Sequence, residues 1–190
     1  MRFEDDSVLR LYKQTIQDFC LYPGLELTQQ QYDALLKAAS EMSAKMRAVR
    51  IVSATNVSAR DLEQRLIRKG EDPAHAREAV SWMEDLSLLD DRKTAQQIVD
   101  RCIAKGYGVS RAKQALYEKR IPRELWDEAL ADYPDQTDAI VSFLRSKLQG
   151  QWDSKDLRRA IDALMRRGHS YRQIQSGLRQ LSVDDDFLEE

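Results

Sequence analysis

Leu66-Ile67-Arg68-Lys69-Gly70, Leu116-Tyr117-Glu118-Lys119-Arg120 and Leu164-Met165-Arg166-Arg167-Gly168 stand in one chain at offsets of 50 residues (Leu66 to Leu116) and 48 residues (Leu116 to Leu164). Two of the pentads end in the form of a helix terminus, a basic last turn followed by a C′ glycine; at Lys69-Gly70 the glycine is predicted to adopt the left-handed conformation. A period of this size marks one supersecondary unit copied along the chain. A single copy cannot bury its own apolar stripe, so neighbouring copies must stack.

The flanking sequence completes the unit. Upstream of the first pentad Ser58 reads as an N-cap, and Ala44, Ala48, Ile51 and Val52 form one helical stripe. Downstream, Pro73 is placed to open a helix carrying Ala76, Ala79, Val80, Met83 and Leu86 on one face. The pattern recurs with Ala95, Ile98, Val99 and Cys102, closed by Lys105-Gly106-Tyr107-Gly108. Ser110 reads as the next cap, and Ile121-Pro122 opens a helix with Leu125, Ala129 and Leu130. After Tyr133-Pro134, Ile140, Leu144 and Leu148 begin a third round; Ser154 opens its second helix and Ser170 caps its last.

The predicted organisation is an N-terminal extension (1–42) followed by three-helix repeats over 43–90, 91–133 and 134–190, the last ending in an acidic tail with Asp184, Asp185, Asp186, Glu189 and Glu190. Within the extension, Thr28 caps a helix carrying Tyr32, Leu35, Leu36 and Ala39. The alternation in 8–12 and 19–22, closed by Pro23-Gly24, predicts a short β-hairpin or extended pair. The fold class is all-α, with tandem three-helix repeats forming an elongated, curved array.

Composition agrees with that class. Charged residues are 33% and hydrophobic residues 42%, a balance suited to helices with one buried stripe and a wide solvated face. Only 7 Gly and 4 Pro are present, too few for a turn-rich β chain. No run approaches the roughly 18 apolar residues of a membrane span, and Glu4-Asp5-Asp6 lacks the order of a signal peptide, so the expectation is a cytoplasmic protein without a membrane partner. Cys20 and Cys102 read as small buried hydrophobes, and His75 and His169 as solvated or capping residues without metal-ligand spacing. Asp90-Asp91 reads as a helix cap, Gly106-Tyr107-Gly108 as a turn too short to cradle a phosphate, and Trp82 and Trp126 as packing residues, with Trp152 undecided. No catalytic residue, metal ligand or cofactor motif is identified, and the chain is read as working by binding.

The formal net charge of -2 hides segregated charge. The second helix of each repeat is basic: Arg60, Arg65, Arg68 and Lys69, then Arg111, Lys113, Lys119 and Arg120, then Lys155, Arg158, Arg159, Arg166 and Arg167. A solvated face accounts for such residues without function; a positive track for DNA phosphates or an acidic protein surface accounts for their segregation by helix. The candidate partner- or nucleic-acid-binding residues are Arg65, Arg68, Lys69, Arg101, Lys105, Tyr107, Arg111, Lys113, Lys119, Arg120, Arg158, Arg159, Arg166 and Arg167.

Ser58-Ala-Arg-Asp-Leu62 and Lys69-Gly70, then Leu88-Leu-Asp-Asp91 and Lys105-Gly-Tyr-Gly108, resemble in content and order the RecX family of bacterial recombination regulators. The similarity covers about residues 44–130 and continues more weakly through Arg166-Arg-Gly168-His-Ser-Tyr171. The resemblance implies three tandem three-helix repeats that bind the RecA recombinase, lodge in the groove of its filament on DNA, and inhibit its ATPase and strand-exchange activities. It further implies a monomer that meets DNA weakly or through the filament. Two departures stand out: Arg92-Lys93-Thr94-Ala95 lacks the family's aromatic, and Arg120 replaces the usual glycine, which predicts a differently shaped helix end. The alternatives are a direct DNA-binding protein with helix-turn-helix-like repeats and a helical scaffold for an unrelated partner.

Overall fold

A computed structural model describes residues 1–3, 6–149 and 152–181; the acidic tail from Asp184 to Glu190 lies outside the described residues. The structure is all-α, and the chain divides into two compact units, Met1–Asp90 and Asp91–Glu190.

The first unit holds α1 (Lys13–Asp18), α2 (Gln29–Ala54), α3 (Ala59–Arg68) and α4 (Pro73–Asp85). Thr28 and Gln31 cap α2 reciprocally, the hydroxyl accepting from Gln31 N–H and the Gln31 side chain accepting from Thr28 N–H. Residues 29–54 contain neither Gly nor Pro, so α2 runs unbroken for 26 residues. The predicted boundary at 42/43 therefore falls inside a helix, and the extension's helix and the first helix of the repeat are one element. Ala44, Ala48, Ala76 and Ala79 let α2 and α4 approach closely, and Leu62, Leu66, Val80, Met83 and Leu89 complete the core with Trp82 at its edge.

The expected pairing of 8–12 with 19–22 does not form. Among the described residues the β pairing is one isolated antiparallel bridge between Arg2 and Val8, while α1 separates 8–12 from 19–22. Phe3 meets Tyr32 of α2 edge-on at 5.3 Å. Cys20 is exposed at the turn after α1, with φ +49, so it is not the buried hydrophobe that its apolar neighbours suggested.

Charge also enters this core. Glu71, one of the acidic residues after the first pentad, is 8% exposed, paired with Arg47 at 2.8 Å and accepting from Ser43 Oγ at 3.0 Å. Arg47 also donates to the carbonyl of Lys69 at 2.6 Å, supplying a cation to the C-terminal end of α3.

The second unit holds α5 (Asp91–Ala104), α6 (Val109–Glu118), a 3₁₀ turn (Arg123–Leu125), α7 (Trp126–Leu130), α8 (Thr137–Lys147), α9 (Ser154–Arg166) and α10 (Tyr171–Gln180). One core gathers Ala95, Val99, Leu116, Ile121 and Ala129; another gathers Ile140, Leu144, Leu157, Ala160, Leu164, Ile174 and Leu178. Trp126 packs on the first, its indole N–H donating to Ile121 O at 3.0 Å, and Trp152 packs on the second. Cys102 is buried, as read from its stripe, and burial pushes its thiol pKa up.

Two local expectations, at Ser110 and Arg120, are corrected. Gly108, not Ser110, occupies the N-cap of α6, which leaves Ser110 inside the first turn. Ser154 opens α9 as read, and Asp153 before it is the cap, accepting from Asp156 N–H at 2.8 Å; this and other backbone hydrogen bonds hold its carboxyl below the usual range. Arg120 takes φ +58 despite its side chain, so this helix end turns in the left-handed region like those at Gly70 (φ +89) and Gly168 (φ +87).

Candidate functional site

Two glycine-bearing turns of the second unit meet backbone to backbone. The turn from α5 into α6 contains Gly106 and Gly108; the turn from α9 into α10 contains Gly168 and His169. Gly108 N–H donates to Arg167 O at 2.9 Å, and a Cβ on Gly108 would collide with the Gly168 carbonyl and lie 2.6 Å from His169 N. A Cβ on Gly168 would collide with the backbone of Arg111. The glycines at these two positions are therefore required by close approach, and at Gly168 by φ as well.

His169 seals the junction. It is 3% exposed, its Nε2 donates to Gly106 O at 3.0 Å, and its Nδ1 has no partner among the described residues. A carbonyl can only accept, so the proton sits on Nε2. Burial lowers the imidazole pKa, the Gly106 bond opposes that shift, and Arg167 adds to it. The expectation of a solvated or capping histidine is thus overturned: the ring fills a buried gap between turns.

This junction fixes what surrounds it. α6 starts at Gly108 and presents Arg111; α9 ends at the junction and presents Arg166 and Arg167; Tyr107 lies between the two glycines. With Phe143 of α8 and Ala163 of α9 these side chains line a cleft of about 300 Å3. The Arg167 guanidinium carbon lies 4.5 Å from the centre of the Phe143 ring. Arg111 pairs with Glu118 at 3.1 Å, whereas no carboxylate lies within ion-pair distance of Arg166 or Arg167 among the described residues. Tyr133, its phenol pKa pushed up to about 12 by burial, donates to Tyr107 O at 2.7 Å and holds that turn.

Of the residues singled out from sequence, the structure thus brings together Tyr107, Arg111, Arg166 and Arg167. Arg65, Arg68 and Lys69 belong to the first unit; Arg65 pairs with Asp61 at 2.8 Å, Arg68 donates to Gln64 O, and Lys69 is exposed at the end of α3. Arg101, Lys105, Lys113 and Lys119 are exposed on α5, α6 and their ends, and Arg120 is half-buried. Arg158 and Arg159 lie exposed on α9, Arg159 reaching Asp156 at 3.4 Å. Phe143 was missed: it reads as one more apolar residue beside Leu144, and nothing in local spacing ties it to the later pentad.

One set of described side chains has spacing that could ligate a cation. Glu41, His75 and Glu78 each offer one atom within 4.8 Å of the others. The His75 ring is half-buried, with Nδ1 2.8 Å from Ser40 Oγ, rather than fully solvated. Lys37 lies 3.8 Å from Glu41 and Glu78 is exposed, so an ammonium and water already balance this charge. Among the described residues no helix is long and apolar enough to cross a membrane.

Comparison with known proteins gives consistent results. A family model described as "RecX, second three-helix domain" matches residues 90–130. The chain is 29% identical over 143 residues to a protein of Vibrio campbellii named "Regulatory protein RecX", covering 74% of this chain and 92% of that one. It is 25% identical over 190 residues to the protein of that name from Streptococcus gordonii, covering 98% of this chain and 74% of the relative. A crystal structure of a regulatory protein RecX superposes with a TM-score of 0.69 at 18% identity, over 92% of this chain and 91% of that one. The structure of RecX from Lactobacillus salivarius gives 0.67 at 20% identity, over 76% and 98%.

Proposed function

The chain belongs to the RecX family, and on that premise we propose that it binds the RecA recombinase filament on DNA and inhibits the filament's ATPase and strand-exchange activities. It acts by binding, as a cytoplasmic monomer, and turns over no substrate of its own.

One feature of the second helices supports this reading. Leu66, Leu116 and Leu164 are buried, and the residue after each is a large apolar side chain left in solvent: Ile67 (38% exposed), Tyr117 (67%) and Met165 (47%). Each is followed within two positions by an exposed cation, Arg68, Lys119 or Arg166. A single exposed apolar residue needs no explanation. Three at one register, each beside a cation, suit a partner that itself repeats and offers acidic, part-apolar surface, as a protein filament does.

The test is co-sedimentation with RecA on single-stranded DNA, alongside RecA-catalysed ATP hydrolysis. Ile67→Ala, Tyr117→Ala and Met165→Ala together should leave folding intact, because surface substitutions usually cost under about 0.5 kcal/mol each. The triple variant should lose most inhibition. Wild-type inhibition by that variant would show that these side chains do not meet the filament.

A further inference from the structure

The cleft built on the Gly108–Gly168 junction has a more specific chemistry than a basic surface. We propose that it holds a phosphodiester of a single nucleic-acid strand, with Arg111 and Arg166 on the phosphate and with Tyr107 and the Arg167–Phe143 stack flanking the adjoining base. This deepens the filament reading by assigning a strand subsite. It rests on that reading only for where the strand comes from, since bare strand can be tested without RecA.

Four observations carry it. First, the cationic side chains converge from separate elements: Arg111 from α6, Arg166 from the last turn of α9, and Arg167 from the C-cap of α9. Three guanidiniums line the cleft, and among the described residues Arg111 is paired with Glu118 while Arg166 and Arg167 have no carboxylate within ion-pair distance. Second, the walls are aromatic as well as basic, with Tyr107 on one turn and Phe143 on α8. Basic grooves interleaved with rings are how proteins hold unpaired strands, because every base has a face to stack. Third, Arg167 sits 4.5 Å from the Phe143 ring centre. A guanidinium held against a ring is weakly hydrated, and guanidinium planes themselves serve as stacking surfaces for bases.

Fourth, the cleft is built in advance. The Gly108–Arg167 backbone bond, the His169–Gly106 bond and the Tyr133–Tyr107 bond fix the turns that carry its lining. Little ordering is left for the ligand to impose. An acidic peptide would use the cations but not the rings. A duplex would offer phosphates, but its bases are stacked away from Tyr107 and Phe143. At about 300 Å3 the cleft is at the small end of ligand sites, in keeping with one nucleotide of a longer strand.

The experiment is fluorescence anisotropy of the full chain with a labelled 20-mer of oligo-dT, measured from 50 to 200 mM salt. Arg166→Ala with Arg167→Ala should weaken binding at least tenfold at 100 mM salt. It should also flatten the log–log salt slope by about 0.7, for the one strand phosphate left without Arg166, while the loss of Arg167 acts through the base-flanking stack. Phe143→Leu keeps the charge and most of the apolar volume; it should weaken binding about fivefold with the slope unchanged. Arg145→Ala with Arg172→Ala removes two exposed charges elsewhere in the unit and should change affinity less than twofold. Circular dichroism at the assay temperature confirms that each variant is folded.

The proposal is overturned if the Arg145/Arg172 variant loses as much affinity as the Arg166/Arg167 variant, since binding is then general electrostatics. It is equally overturned if duplex DNA binds as tightly through the same arginines, or if poly-glutamate displaces the strand at equal charge concentration. Loss of filament inhibition in the Ile67/Tyr117/Met165 variant with oligo-dT binding retained separates the two readings. Failure of either is then visible without the other.

Discussion

Replacing Gly168 by alanine adds one methyl group at a point where the backbone of α6 already lies, and two neighbouring substitutions divide the cost into its parts. Gly70 has φ +89 and nothing within 4 Å of where a Cβ would stand. Gly70→Ala therefore carries only left-handed strain, about 1–2 kcal/mol, offset in part by the lower entropy of the unfolded alanine chain. A net loss of about 1 kcal/mol follows. Gly108 has φ -80, which any residue adopts, but its Cβ would collide with the Gly168 carbonyl. The neighbour is backbone and cannot rotate aside, so the turns must separate and the Gly108–Arg167 hydrogen bond breaks. Overpacking at about 1–3 kcal/mol and a hydrogen bond at about 0.5–1.5 kcal/mol make the expected loss about 3 kcal/mol. Gly168 combines positive φ with collision against Arg111 and should lose about 4 kcal/mol. At about 2–4 °C per kcal/mol for a chain of this length, the melting shifts should be near 3, 9 and 12 °C in that order. Thermal melts by circular dichroism measure them, and peptide-resolved hydrogen exchange assigns the Gly70 effect to the first unit and the others to the second. If Gly108→Ala melts within a few degrees of wild type, the turns do not meet as described, and the cleft they support loses its foundation.

Other consequences can be checked independently. Arg47→Ala leaves Glu71 buried without its cation and should cost about 2–3 kcal/mol, while replacing both residues by methionine should cost less than the two single changes summed. His169 has a lowered pKa, so on acidification the unfolded chain takes up its proton near pH 6.5 while the folded chain resists. Stability should therefore fall as the pH drops below about 6.5, by at most about 1.4 kcal/mol per unit, and level off below the folded pKa. His169→Asn keeps a donor for Gly106 O and should flatten that part of the profile; parallel melting curves for the two proteins between pH 7.5 and 5.5 would contradict the assignment. In the native protein a maleimide should label exposed Cys20 promptly and buried Cys102 only on unfolding, which mass spectrometry of timed samples resolves.

What the amino-acid sequence determines by itself here is everything governed by near neighbours. The 3.6-residue spacing of Ala44, Ala48, Leu62, Leu66, Ile140 and Leu144 marks buried faces, because side chains three and four apart share a face whatever lies opposite. Thr28, Ser58 and Ser170 announce helix starts because a cap bonds within its own first turn. The recurrence of the pentads shows that the unit is copied. Where a local signal is ambiguous the reading slips by a residue or two, as from Ser110 to Gly108. It also slips where a change of stripe occurs without a break in the backbone, as inside α2.

Only the tertiary structure decides which chain-distant groups meet. Gly108 and Gly168 both look like ordinary turn glycines; that they exclude each other's Cβ depends on how two helix pairs pack, and no spacing encodes it. The same packing buries His169, carries Phe143 under Arg167, and selects Arg111, Arg166 and Arg167 from a longer roll of cations that are interchangeable as letters. Glu71 is likewise an acidic residue among acidic residues until α2 brings Arg47 over it. Helix formation and capping are short-range and leave a signature in every window of sequence. A cleft is assembled between elements, and its residues acquire their roles only when the chain is folded.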